Sequence, residues 1–177
     1  HVGQDIPQGH QVAIAGQSYA VARVILHPDW ETRRLEMALV ELDRPIEGVD
    51  PIPLYNQGDE QGQIVTFVGR GDSGTGLTGP VSRDHRLRAA TNRVERTEGS
   101  MLVFRFDAPG DENVTPLEGI SGPGDSGGPA FLETADGLRL AGLSVASSGR
   151  PKGRYGVWEF YTRVSREVKW VWDTTST

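Results

Sequence analysis

The sequence has no cysteine in its 177 residues, so no disulfide holds the fold and redox chemistry points to no compartment. It lacks any apolar run near the roughly 18 residues that a membrane span requires. No basic segment followed by an apolar one opens it, so an export signal has been removed or lies outside the sequence. It also lacks a basic excess: 18 Lys and Arg stand against 24 Asp and Glu, a net charge of −6. That balance argues against a nucleic-acid or anionic-membrane partner and reads as solubility. A chain of this length can bury about two-thirds of its unfolded surface, enough for one domain or two small barrels.

What stands out is Gly122-Pro123-Gly124-Asp125-Ser126-Gly127-Gly128-Pro129-Ala130. A serine set among glycines has few neighbouring side chains to shield it. Its hydroxyl can meet a carbonyl carbon while nearby backbone N–H groups point at the carbonyl oxygen, the arrangement acyl transfer needs. The same residues also make ordinary turns. The chain carries its own comparison, because Gly71-Asp72-Ser73-Gly74 repeats the four-residue core but continues into Thr75-Gly76.

The six residues from Gly124 to Pro129 resemble the nucleophile loop of the chymotrypsin/trypsin-type serine proteases. Other segments stand in that family's order: His27-Pro28-Asp29-Trp30, Met37-Ala38-Leu39-Val40-Glu41-Leu42, Val68-Gly69-Arg70-Gly71 and Tyr161-Thr162-Arg163-Val164. The resemblance implies an all-β fold of two packed antiparallel Greek-key β-barrels with a C-terminal helix, the first barrel incomplete in this chain. Without disulfides it leans toward a bacterial-style member. The expected divisions are residues 1–55, the remainder of the N-terminal barrel; 56–163, the C-terminal barrel; and 164–177, the terminal helix and tail.

Taken in order, residues 11–16 and 19–26 read as strands. Residues 35–42 suit a helix by propensity and a strand by length, and the family register selects the strand. Pro51 and Pro53 make residues 49–54 an extended crossover. Residues 63–69 form a strand, which leaves the Gly71 repeat as a plain turn. From Gly74 to Glu98 the chain reads as polar surface loop with a weak strand at 87–94. Strands resume at 101–106 and 140–145. Residues 107–113 have Asp/Asn spacing faintly like a calcium loop, but the ligand series is incomplete and a solvated turn is expected. Val164, Val168 and Val171 make a helical apolar stripe.

The resemblance also assigns roles. Ser126 attacks, His1 takes and returns the proton, Glu36 orients His1, and the N–H groups of Gly124 and Ser126 bind the oxyanion. Glu36 stands where the family has aspartate, one methylene shorter. Asp125 is the family's partner for a newly released amino terminus in the activation ion pair. His1 cannot serve as both base and that amine, so a separate N-terminal segment completing the fold, or a zymogen-like site, is implied. His10, His27 and His85 are expected to be solvated.

Ile120 falls on the floor of the substrate pocket, beside Ser121, with Ser147 and Gly149 on its wall and mouth. Two registers compete for the remaining wall. Matching Tyr161-Thr162-Arg163-Val164 without a gap puts Glu159 in the pocket, where it receives Lys or Arg; matching Gly156-Val157-Trp158 gives a small neutral pocket. The apolar pocket is favoured because glutamates are ordinarily exposed.

Two functions follow. The first is a secreted or periplasmic serine endopeptidase acting on peptides or proteins, without cofactor or metal. The alternative is a catalytically inactive homologue serving as a binding or regulatory module.

Overall fold

The computed structural model describes residues 9–31, 35–149 and 151–176. They form two compact units: one from the first part of the chain, to Ile52, with the segment from Trp170 onward, and one spanning Pro53–Lys169.

The first unit is built on an antiparallel sheet of β1 (Gln11–Ile14), β2 (Gln17–Leu26) and β3 (Ala38–Leu42), with β2 in the middle. Ala15 and Gly16 join β1 to β2 in a two-residue turn with both φ values positive (51° and 79°), matching the twist of the strands it connects. Tyr19 and Val21, two apart on β2, are buried, as period-two alternation requires. The ambiguous 35–42 segment resolves as a strand that starts only at Ala38. Leu35 and Met37 are buried ahead of it.

His27 is not solvated as expected. It is buried, its ring edge-on to Trp170 at a centroid separation of 4.6 Å, and its Nδ1 accepts the Asp29 N–H at 3.1 Å. Pro28 ends the strand, yet the ring turns inward onto an aromatic face, a contact that a scan of local polarity does not register.

The second unit is a closed antiparallel barrel of six strands in the order β10-β11-β8-β7-β4-β9, with a separate β5-β6 hairpin. The barrel strands are β4 (Ile64–Gly69), β7 (Arg88–Glu98), β8 (Met101–Arg105), β9 (Pro129–Thr134), β10 (Gly137–Ser148) and β11 (Trp158–Arg163); β5 is Ser73–Thr75 and β6 Gly79–Ser82. Val65, Phe67, Val94, Leu102, Phe104, Ala130, Leu132, Ala141 and Tyr161 fill it, together with Tyr55. Phe67 stacks on Tyr161 at 4.8 Å and meets Phe104 edge-on at 5.0 Å. This fixed aromatic geometry adds to the area buried.

Residues 74–98 are therefore not mainly surface loop. They supply the β5-β6 hairpin and an 11-residue barrel strand. On β7 the inward positions Asn92 and Val94 are buried while Arg93 and Glu95 face outward. The outer-face polarity that made the segment look like loop is ordinary for a strand with one wet face.

The loop after β8 is also more enclosed than expected. Asp107 is buried and pairs with Arg105, which reaches Asp111 at 3.2 Å as well. Helix α1 (Val164–Thr175) begins where the valine stripe predicts and runs three residues past Trp172. Its buried positions are Val164 and Glu167.

Candidate functional site

The loop of residues 122–129 leads into β9 and is bonded on three sides. Asp125 N–H donates to Gly122 O at 3.0 Å and Gly128 N–H to Asp125 O at 2.8 Å, folding the loop on itself. Gly127 N–H donates to Ser144 O at 2.7 Å and Ser144 N–H to Gly128 O at 2.9 Å, joining it to β10. The Asp125 carboxylate accepts the Gly71 N–H at 2.7 Å and the Gly122 N–H at 2.9 Å.

Ser126 sits at the apex, exposed. Gly124, two residues before it, has φ of +97°, a backbone conformation that side chains disfavour. Among the described residues, neither the Gly124 N–H, the Ser126 N–H nor the Ser126 hydroxyl has a hydrogen-bond partner. Two unclaimed donors beside an exposed hydroxyl, on a loop whose other donors are spent, can receive a developing oxyanion.

Glu36 is half-buried just ahead of β3, in the first unit. His1 lies outside the described residues.

The second group of side chains gathers on β10 and β11. Opposed pairs place Ser147 against Glu159 and Ser144 against Tyr161, with a bulge between Ser144 and Ala146. Glu159 is not exposed: it is 1% accessible. Glu159, Tyr161 and Arg163 on β11, with Val157 just ahead of it, are buried at alternate positions, so alternation carries the glutamate inward whatever its ordinary preference. The exposure of Glu159 that favoured the neutral pocket is therefore not what the strand gives it.

Ser121 Oγ donates to Glu159 Oε2 at 2.7 Å and lies 3.2 Å from Ser144 Oγ. Glu159 Oε1 and Ser147 Oγ, both buried, complete no hydrogen bond of good geometry among the described residues. Burial pushes the Glu159 carboxyl up to about 7; the Ser121 and Ser147 hydroxyls and the Lys152 charge pull it the other way. Burial likewise raises the Tyr161 phenol. Ile120 and Ser121 are half-buried and Gly149 is exposed just beyond β10. Sequence reasoning missed Ser144, although its inward position follows once the bulge in β10 is allowed for.

A buried frame orders the approach to the loop. Asn92 Nδ2 reaches Arg105 O at 2.9 Å, Glu118 Oε1 at 3.0 Å and Gly119 O at 3.0 Å. Gly119 N–H in turn donates to Thr91 O at 3.0 Å.

A closed antiparallel barrel, a C-terminal helix and a serine loop edged by free N–H groups define the chymotrypsin-like class of fold. The family model for Trypsin matches residues 6–171, and the chain belongs to that family. Among curated proteins, none matches it.

Proposed function

We propose that the protein is a serine endopeptidase. The observation that carries this reading is the exposed Ser126 hydroxyl beside the unclaimed Gly124 and Ser126 N–H groups. Ser126 Oγ attacks the peptide carbonyl carbon while His1 takes the hydroxyl proton. The carbonyl oxygen becomes an oxyanion held by the two N–H groups. The tetrahedral adduct collapses as His1 gives its proton to the leaving amine, and water then hydrolyses the acyl-enzyme by the same route. Glu36 orients the imidazole, work that any well-placed carboxylate can do.

The peptide side chain before the scissile bond is received beside the paired strands β10 and β11, near Gly149. There the open oxygen of Glu159 favours a lysine or arginine over an apolar side chain, because a charge-assisted bond satisfies a buried acceptor that an apolar group would leave bare. Trypsin-family proteins are typically secreted, and among the described residues no helix is long and apolar enough to cross a membrane. We place the activity outside the cytoplasm.

The test is intact mass after treatment with a fluorophosphonate, which traps only an activated serine. One adduct, mapping to Ser126 and lost in His1→Ala, is expected. A folded sample that takes up no label overturns the reading and leaves an inactive homologue.

A further inference from the structure

The loop that carries Ser126 is held from outside itself, and the element that holds it contains the other copy of its own four-residue core. Gly71 N–H donates to Asp125 Oδ1 at 2.7 Å while Gly122 N–H donates to Oδ2 at 2.9 Å, so a single carboxylate ties the end of β4 to the entry of the loop. Asp72 N–H adds a third bond, to Pro123 O at 2.8 Å.

These contacts leave no room for side chains. A Cβ on Gly69 would lie 2.1 Å from Asp125 Oδ1, one on Gly71 2.6 Å from Asp125 Cγ, and one on Gly122 2.2 Å from Asp72 O. All are far inside van der Waals contact, and the obstacles are a doubly bonded carboxylate and backbone rather than free side-chain ends. The Asp72 side chain is drawn away from the contact by Arg83, with bonds of 2.9 and 3.0 Å.

The segment's other contacts are local: Arg70 donates to His85 O at 3.0 Å and Asp72 pairs with Arg83. Its Ser73 enters the β5-β6 hairpin, and Gly69 ends β4.

We infer that residues 69–72 are a positioning cradle for the nucleophile loop: through Asp125 they set where the Gly124 and Ser126 N–H groups point. Gly69, Gly71 and Asp125 are positioning residues; none touches the substrate. The Gly71 repeat is then more than a plain turn. The cradle acts on the oxyanion donors, which matter most in the transition state, so its loss lowers kcat and leaves KM nearly unchanged. Its functional half rests on Ser126 being the nucleophile; its structural half does not.

The experiment measures amide hydrogen exchange by mass spectrometry over residues 122–128, together with kcat, KM and the rate of fluorophosphonate labelling. It uses the wild-type chain, Gly71→Ala and Asp125→Asn. The asparagine keeps the carboxylate's shape but replaces one acceptor oxygen by a donor, so it covers the case in which Gly71→Ala does not fold. Each variant should exchange roughly tenfold faster across the loop with β10 unchanged, and lose about 10- to 1,000-fold in kcat and labelling rate, the range set by removal of one oxyanion donor. KM should stay within about twofold. Combining Gly71→Ala with Asp125→Asn should cost no more than the worse single change, since both act through one contact.

Unchanged loop exchange in a folded variant overturns the cradle. Faster exchange with kcat intact also overturns it, because the contact would then be structural only. If the wild-type chain takes no label, the peptidase reading fails by itself, and the exchange result still decides whether residues 69–72 hold the loop.

Discussion

Ser121 gives its hydroxyl hydrogen to Glu159 Oε2 across 2.7 Å, and the other oxygen of that buried carboxyl completes no hydrogen bond of good geometry among the described residues. A carboxyl so placed is half satisfied, and its charge state is open to change by pH or by an arriving cation.

Stability should therefore fall as pH rises. Burial raises the Glu159 carboxyl from 4.5 to about 7. Between those values the folded chain keeps a proton that the unfolded chain releases, so alkali favours unfolding across that window and has no further effect above it. At about 1.4 kcal/mol for each tenfold change in proton affinity, the difference is at most about 3–4 kcal/mol. Urea midpoints at about pH 5 and pH 8 should differ in this sense, and the difference should shrink in Glu159→Gln; equal slopes in both proteins would remove Glu159 as the cause.

Glu159→Gln should also change which peptides are cut. With peptides differing only in the residue before the scissile bond, kcat/KM for arginine should drop roughly 10- to 100-fold, matching the loss of a charge-assisted bond of about 1.5–3 kcal/mol. Rates on leucine peptides should hold or improve. If both classes fall together, the pocket lies elsewhere.

Arg163 and Glu60 form a buried ion pair, Nε to Oε2 at 3.0 Å, and Arg163 also donates to Gly58 O at 2.6 Å. Burial by itself would raise the Glu60 carboxyl, but the Arg163 hydrogen bond and charge outweigh it and hold it below the usual range. Glu60→Ala leaves the guanidinium buried and unpaired, and should destabilise by about 3–5 kcal/mol in denaturant unfolding. A loss no larger than that of an exposed pair such as Arg23–Glu41 would show that water reaches the site.

Asn92 makes a different kind of claim. Its buried amide donates to Arg105 O, Gly119 O and Glu118 Oε1, so Asn92→Leu should destabilise by about 1–3 kcal/mol despite matching the volume. Because Gly119 lies on the path to the serine loop, labelling of Ser126 should slow as well, which a purely distant packing defect would not produce.

How much of this could be read from the sequence varied with the kind of signal. The strands at 64–69 and 101–105 and the start of α1 carry their own periodicity and were legible. The 88–98 strand was not, because Arg and Glu on its wet face, and a polar Asn92 at one of its two buried positions, mask the alternation, and only the closed barrel shows which face is inside. Glu159 was misjudged for a related reason: composition says exposed, register says buried, and register depends on pairing with a strand far away in sequence. The serine loop was visible as letters. That its apparent duplicate would come to rest against it was not, since the contact is made by backbone N–H groups, and the glycines that permit the close approach serve ordinary turns equally well.

The bonds from Gly127 and to Gly128 run to Ser144 in the middle of β10, and β10 is paired on both sides within the closed barrel. With the contact from residues 69–72 also in place, the serine of the wild-type chain has no cheap way to become misplaced while the barrel survives. On heating, loss of labelling at Ser126 and loss of the barrel's circular dichroism should fall on one curve, so that the working lifetime of the nucleophile is the lifetime of the barrel itself.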